Sequence, residues 1–553
     1  MKLPSVDSVE TLSLGAMRRL VAGLVGKMHE LEADVGALRA ENQSLRDDNE
    51  RLRLENDSLR LDTQMLRDEI ARLKNLPPRP PFRPSGMEKA TKPTAGKNST
   101  SKRGRSAKRD RDQVTREVVI KADAPEGSRF KGYETILVRE LVVAAEVVRY
   151  RRERWVTLDG KTILAPLPDG IVGGIGPGLR QFCLTMHAQG QVTTERLTSI
   201  LNGIGVEISK SQVVRILTTD LDRFAGEDLS VLRAGLITAP FITVDDTGAR
   251  HARREGITTH IGGERFTVFR TGRSKSRLSF LSLLRAGHED YVINAAALDY
   301  MRWRQVDPSL IEKLSVHPEK IFASQSAWLE HLARCAIDIF DRALLRALSE
   351  GALWGAIRHH GLMRTTVVVS DGAGQFRIPN HALCWVHAER LVHKLMPATP
   401  KQARAVETVR DLIWCFYQAL KAWKERPSPG VAQAFRKRFD RVFTLRTGFA
   451  DLDQLLVRLH RRKPELLKVL DRPDIPLHTN ASENDIRACV IKRKISGGTM
   501  SDKGRQARDV MLGLMKTCRK LGVSFYSYIG DRLSFNAANQ KIPPLADLVA
   551  AFV

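Results

Sequence analysis

Phe241-Ile-Thr-Val-Asp245-Asp246-Thr-Gly248 ends a short apolar run in adjacent carboxylates, and Thr365-Thr-Val-Val-Val-Ser370-Asp371-Gly372 repeats the arrangement far downstream. Both runs are β-rich and closed by turn residues, so each reads as a buried strand with acid at its end. Acids on rigid backbone suit a magnesium site for phosphoryl chemistry, because hard carboxylate oxygens match a hard cation. Strand ends also favour Asp for an ordinary reason, since its side chain caps turns. The residues themselves leave both readings open.

The chain around these acids has 553 residues, enough for several domains, and a formal charge of +26 with a pI near 10.1. Such a balance points to a polyanionic partner, most simply nucleic acid. No apolar run approaches the roughly 20 residues of a membrane span, and a signal-peptide pattern is not evident. A cytoplasmic, nucleoid-associated bacterial location is the expectation. Six scattered cysteines without a C-x-x-C pair fit a reducing compartment, and structural zinc is not expected.

The elements that must position the acids follow a long N-terminal array. Leu24, Leu31, Leu38, Leu45, Leu52, Leu59, Leu66 and Leu73 recur every seventh residue, with Asn42, Asn49 and Asn56 among the a positions. Acidic g and basic e positions pair favourably only in a parallel arrangement, and Asn at a favours two strands. Residues 24–76 are therefore expected to form a parallel dimeric coiled coil about 75 Å long. Residues 77–113 read as a disordered basic linker, Lys102, Arg103, Arg105, Lys108 and Arg109 being its candidate DNA contacts. A basic-zipper transcription factor fails here, because its basic helix precedes the zipper unbroken and this segment follows it, interrupted by proline.

Residues 114–168 suggest a small β-rich module. Residues 170–235 suggest a helical domain, in which one helix, the turn Asn202-Gly203-Ile-Gly205 and a helix opened by the capping box Ser209/Gln212 give a helix-turn-helix pattern. Most such pairs only pack; if this one reads DNA, Ser211, Gln212 and Arg215 are the candidates. The acidic strands then fall at 236–273 and 364–395, separated by a helical insertion at 274–363. A second insertion at 396–477 precedes C-terminal helices at 478–553. Asn480 followed by Glu483 is a capping-box pattern, the reading the residues alone favour for that carboxylate.

Several motifs, taken in order, resemble the insertion sequence 66 family of DDE transposases. They are Val244-Asp-Asp-Thr247, Ser370-Asp-Gly-Ala-Gly-Gln-Phe376, Cys384-Trp-Val-His-Ala-Glu-Arg390, Asn480-Ala-Ser-Glu-Asn-Asp-Ile-Arg487 running on to Arg493-Lys494, and Leu514-Met-Lys-Thr-Cys518. The resemblance implies a multidomain α+β chain: a coiled coil, a small β module, a helical DNA-binding domain, and a ribonuclease-H-like α/β core interrupted by helical insertions. It implies cleavage at element ends and joining of 3′-hydroxyls to target DNA. Asp245, Asp371 and Glu483 would hold two Mg²⁺ ions, Mn²⁺ substituting, with Asp246 in reserve.

In the same resemblance, His387 and Arg390 would support the active site, while Arg390, Arg487, Lys492, Arg493 and Lys494 would contact DNA. The implied partners are double-stranded DNA (terminal inverted repeats and target), a second copy of the chain, a higher oligomer on DNA, and accessory element-encoded proteins; no membrane is implied. The sequence departs from the family in three places. The first 182 residues lack the cysteines of the family's zinc module, 126 residues separate Asp245 from Asp371, and Asp246 stands where Glu is common. A DNA-binding relative without catalysis and a structure-specific nuclease on the same core are the alternatives.

Overall fold

The computed structural model describes residue 114, residues 116–535 and 541–551, and isolated residues between 14 and 37. The chain divides into two units, 1–84 and 85–553. In the first, the described residues are helical, and Met28 and Val35, at two heptad a positions, are exposed. The heptad leucines and Asn42, Asn49 and Asn56 lie outside the described residues, as does the linker cluster from Lys102 to Arg109.

The second unit opens on an exposed hairpin, β1 (Arg154–Val156) against β2 (Thr162–Leu164). The segment 116–153, expected to be β-rich, contains no strand among its described residues, and its side chains are exposed. Alternation of apolar and polar residues stabilises a sheet only when a second layer covers the apolar face, and among the described residues no such layer covers this one.

Four helices follow: α1 (Pro177–Ala188), α2 (Thr194–Gly203), α3 (Lys210–Thr218) and α4 (Leu221–Thr238). The capping box at the start of α3 forms as expected, Ser209 Oγ accepting from the Gln212 amide at 3.2 Å and Gln212 Oε1 from the Ser209 amide at 2.8 Å. Asp220, in the left-handed region at φ 55°, separates α3 from α4.

A five-stranded mixed sheet organises the rest. Its strands are β3 (Phe241–His251), β4 (Arg254–Gly262), β5 (Thr267–Gly272), β8 (Val367–Ser370) and β9 (His381–Leu383), in spatial order β5-β4-β3-β8-β9. The pairings β5–β4 and β4–β3 are antiparallel, whereas β3–β8 and β8–β9 are parallel. Between β5 and β8 lie α5 (Arg277–Leu284), α6 (Ala295–Trp303), α7 (Pro308–Val316), α8 (Gln325–Arg334) and α9 (Arg342–His359), with a small hairpin of β6 (Tyr291–Val292) and β7 (Ile321–Phe322). The insertion expected at 274–363 is thus helical with one short β pair.

After β9 come α10 (Trp385–His393), then α11 (Pro400–Glu425), α12 (Pro429–Phe443) and α13 (Ala450–His460). The C-terminal helices are α14 (Asn480–Ser496), α15 (Asp502–Lys520), α16 (Phe525–Arg532) and α17 (Leu545–Ala550).

The pleat divides the sheet between two cores. Ile242, Val244 and Val368 pack into a core shared with α1–α9 and the C-terminal helices. Phe241, Val367 and Val369 point the other way, into a core with Trp385 and the helices α11–α13. Trp385 is buried and stacked on Phe416 with ring centroids 5.1 Å apart, and its amide and indole nitrogens donate to Leu477 O and Leu466 O, both at 2.9 Å. That anchors the first turn of α10 beside the sheet.

Candidate active site

The parallel register of β3 on β8 pairs Phe241 with Val367, Ile242 with Val368 and Thr243 with Val369. The same offset carried two residues further sets Asp245 beside Asp371, one strand spacing of about 4.8 Å away. Both side chains have the parity of Phe241 and Val367, so they emerge on one face. Directly after Asp371 the chain turns away through Gly372 at φ 95°, where a Cβ would meet Leu383 Cδ2 at 2.8 Å; glycine is required there. Asp371 Oδ1 accepts from the Ala373 amide at 2.9 Å, which steadies the turn.

Glu483 reaches the same place from α14. Its carboxylate does not turn back on its own helix: Thr479 is the N-cap, no side chain caps the end, and Glu483 Oε1 lies 3.3 Å from Arg390 Nη1 and 3.6 Å from His387 Nε2. The capping-box reading is therefore not the geometry found. His387 and Arg390 share one face of α10 and bring positive charge against the third acid.

The electrostatics show how close the acids are. Burial raises the Asp245 carboxyl, and the charges of Asp371 and Glu483 raise it further against the opposing Asp246 amide and His387, to about 6. Burial lowers the His387 imidazole, but its hydrogen bond with Cys384 and the carboxylates of Glu483 and Asp371 prevail and hold it at about 9. Three clustered carboxylates are a donor set suited to hard divalent cations.

Asp246, the reserve ligand, belongs elsewhere. One residue along a strand reverses the side chain, and its two oxygens accept from Thr259 Oγ1 at 2.6 Å and Gln375 Nε2 at 2.8 Å on the opposite face. It ties β3 to β4 and to the turn after Asp371.

Helix α14 is itself fixed by a buried polar cluster that sequence reading passed over. Asp485 points opposite to Glu483, between the sheet and α15. Its Oδ2 accepts from Thr267 Oγ1 at 2.8 Å, pairs with Lys520 Nζ at 2.7 Å and lies 3.3 Å from His260 Nε2. Burial works against the Asp485 charge, but His260 and Lys520 hold its carboxyl well below the usual range. The only hint in the sequence was Asp485 two residues from Glu483, which the family motif absorbed.

The expected DNA contacts divide. Ser211, Arg215, Arg487 and Lys494 are exposed and Arg493 is half-buried. Gln212 is exposed, yet its carbonyl is committed to the cap of α3. Lys492 is a correction: it is buried, donates to His187 O at 2.9 Å, and burial lowers its ammonium to about 8. It joins α14 to α1 and does not stand on a free surface. A cleft of about 430 Å³, lined among others by Lys210, Lys492, Arg493 and Arg508, lies where α1 and α3 meet the α14–α15 junction; none of the three acids lines it.

With this geometry in hand, a profile of the Transposase IS66 family matches residues 359–507, a span holding Asp371 and Glu483. An uncharacterized protein of Sinorhizobium fredii, y4jO, is 65% identical over 321 residues, which cover 58% of this chain and 99% of the relative. The chain thus carries its acids on a mixed five-stranded sheet flanked by helices, and the family match makes it a DNA-processing enzyme. The chain belongs to the insertion sequence 66 family of transposases. Membership implies DNA binding and a general dependence on divalent metal. No helix among the described residues is long and apolar enough to cross a membrane.

Proposed function

We propose that the chain is a DDE-type transposase that cleaves at the ends of an insertion sequence and joins the freed 3′-hydroxyls to target DNA. The observation that carries this reading is the β3–β8 register, which puts Asp245 and Asp371 side by side where Glu483 arrives from α14. The order β5-β4-β3-β8-β9, an antiparallel meander followed by two parallel strands, supports a ribonuclease-H-like core interrupted twice by helical insertions.

Asp245, Asp371 and Glu483 would hold two Mg²⁺ ions, for which Mn²⁺ could substitute. When bound, such ions activate the attacking oxygen and stabilise the leaving one. Around them, the protein's own groups have distinct tasks. His387 and Arg390 orient Glu483 and offset the charge of an incoming phosphodiester. Asp485 keeps α14 seated so that Glu483 stays in reach. Arg487 and Lys494 continue along the exposed side of α14 from Glu483, at helical spacing, and form a path for the DNA backbone.

Helix α3, with Ser211 and Arg215 exposed, is the element proposed to meet the double helix, and the basic linker to follow phosphates nearby. The exposed Met28 and Val35 fit a parallel dimer that would cover them. The test is a nicking and strand-transfer assay on DNA carrying the element's terminal repeats, with and without Mg²⁺ or Mn²⁺. Cleavage and joining that need the ion support the reading. Cleavage without joining would mark a structure-specific nuclease, and binding without cleavage a catalytically inactive relative.

A further inference from the structure

The helical insertion holds a cluster that the transposase reading does not use. His331 and Cys335 are four residues apart at the end of α8 and share one face. His317 comes from the connection between α7 and β7. One ligating atom from each of the three lies within 4.8 Å of the others. His331 is 1% exposed and Cys335 8%, while His317 is half-buried on the solvent side.

Ordinary core packing accounts poorly for His331. Its ring lies against Phe322, with centroids 4.3 Å apart, and edge-on to His317 at 4.4 Å. Yet Nδ1 is buried without a hydrogen bond, and Nε2 meets only the Cys335 sulfur at 3.7 Å. A buried polar nitrogen left in this state is desolvated without compensation. The 3.7 Å separation has a second meaning. An ion bound tetrahedrally at about 2.0–2.1 Å from nitrogen and about 2.3 Å from sulfur sets those two atoms about 3.6 Å apart.

We propose that His317, His331 and Cys335 form a binding site for a borderline-soft divalent ion of the zinc class, which clamps the α7–β7 connection onto α8. Two imidazoles and a thiolate select against the hard Mg²⁺ of phosphoryl chemistry, so this site is chemically separate from the acidic one. Glu319 completes it from behind: its Oε2 lies 3.8 Å from His331 Nδ1 and is held by Arg334 Nη2 at 3.1 Å. A carboxylate facing the far nitrogen of a ligating histidine fixes its tautomer and leaves the near nitrogen free for metal. The Glu319 amide donates to His317 Nδ1 at 3.1 Å, so that ring turns or releases the amide as the ion enters, a small movement for a half-exposed side chain. A water takes the fourth position on the solvent side. The lack of cysteine in the first 182 residues thus does not extend to the insertion.

The full-length chain, stripped with chelator and titrated with Co²⁺, tests this. About one equivalent should bind, with the intense absorption of a thiolate–cobalt bond, and Zn²⁺ should displace it. Cys335→Ser should abolish that absorption, His317→Asn should weaken binding at least tenfold, and Glu319→Gln should weaken it about 10–100-fold. Cys384→Ser and Asp371→Ala should leave the absorption in place. His317→Asn changes a half-exposed residue, so it decides the matter even if Cys335→Ser misfolds. No thiolate absorption in the wild type, absorption that persists in Cys335→Ser, or an affinity unchanged in His317→Asn, overturns the proposal.

Discussion

Asp245 and Asp371 are 126 residues apart in the chain, and 126 is also the register offset between β3 and β8. Because the offset and the separation coincide, neighbouring strands deliver the two carboxylates to the same level of the same face. Asp245→Ala or Asp371→Ala should therefore abolish metal-dependent cleavage, a loss well beyond the ~10–100-fold expected when only a supporting partner is removed. DNA affinity should persist, as a gel-shift measurement would show. Cleavage surviving either change would sink the DDE reading.

Asp246 should behave differently from its neighbour. Asp246→Ala removes the acceptor of Thr259 and Gln375 and should cost about 1–3 kcal/mol of stability. Cleavage per folded molecule should fall far less than in Asp245→Ala. Equilibrium unfolding paired with single-turnover cleavage separates the two effects, and equal catalytic loss would return Asp246 to the metal site.

Asp485 links acid sensitivity to the position of Glu483. Its folded pKa is depressed, so the unfolded chain takes up the proton first. Its stabilisation is complete above about pH 4, the usual range of a free Asp, and is lost as pH falls from there through the folded value. Asp485→Asn should destabilise by about 3–5 kcal/mol near neutral pH, because Lys520 and Lys516 lose their counter-charge. The mutant's deficit should shrink in acid. A deficit unchanged from neutrality to about pH 3 would contradict the depressed pKa.

The tip of the β3–β4 hairpin docks on the junction of α14 and α15, where the Thr499 amide donates to Arg250 O at 3.0 Å and the Ala252 amide to Thr499 O at 2.8 Å. A Cβ on Gly498 would meet Arg250 O at 2.4 Å. Gly498→Ala should thus loosen this docking at a cost of about 1–3 kcal/mol. Hydrogen exchange at the Ala252 amide should speed up, and unchanged protection would show that the junction absorbs the methyl.

The linker cluster Lys102, Arg103, Arg105, Lys108 and Arg109 is expected to bind phosphates. Replacing all five with Ala should flatten the dependence of log affinity on log salt by about 0.9 for each phosphate that the linker no longer neutralises. An unaltered slope would remove the linker from the interface.

Much of this protein is written in short-range pattern. The apolar runs ending at Asp245 and Ser370, the Ser209/Gln212 cap and the helices flanking the sheet follow from neighbouring residues, because strand and helix periodicities are local. Other features depend on segments hundreds of residues apart, and only burial together settles them. The 126-residue register, the turning of Asp246 away from Asp245, the recruitment of Glu483 by Arg390 in place of its own helix end, and the burial of Lys492 against α1 are of this kind. A charged side chain goes where its desolvation is repaid by a partner, and a linear reading does not show which distant partner will be there. The sequence alone therefore nominated the acids; tertiary packing decided which of them face one another.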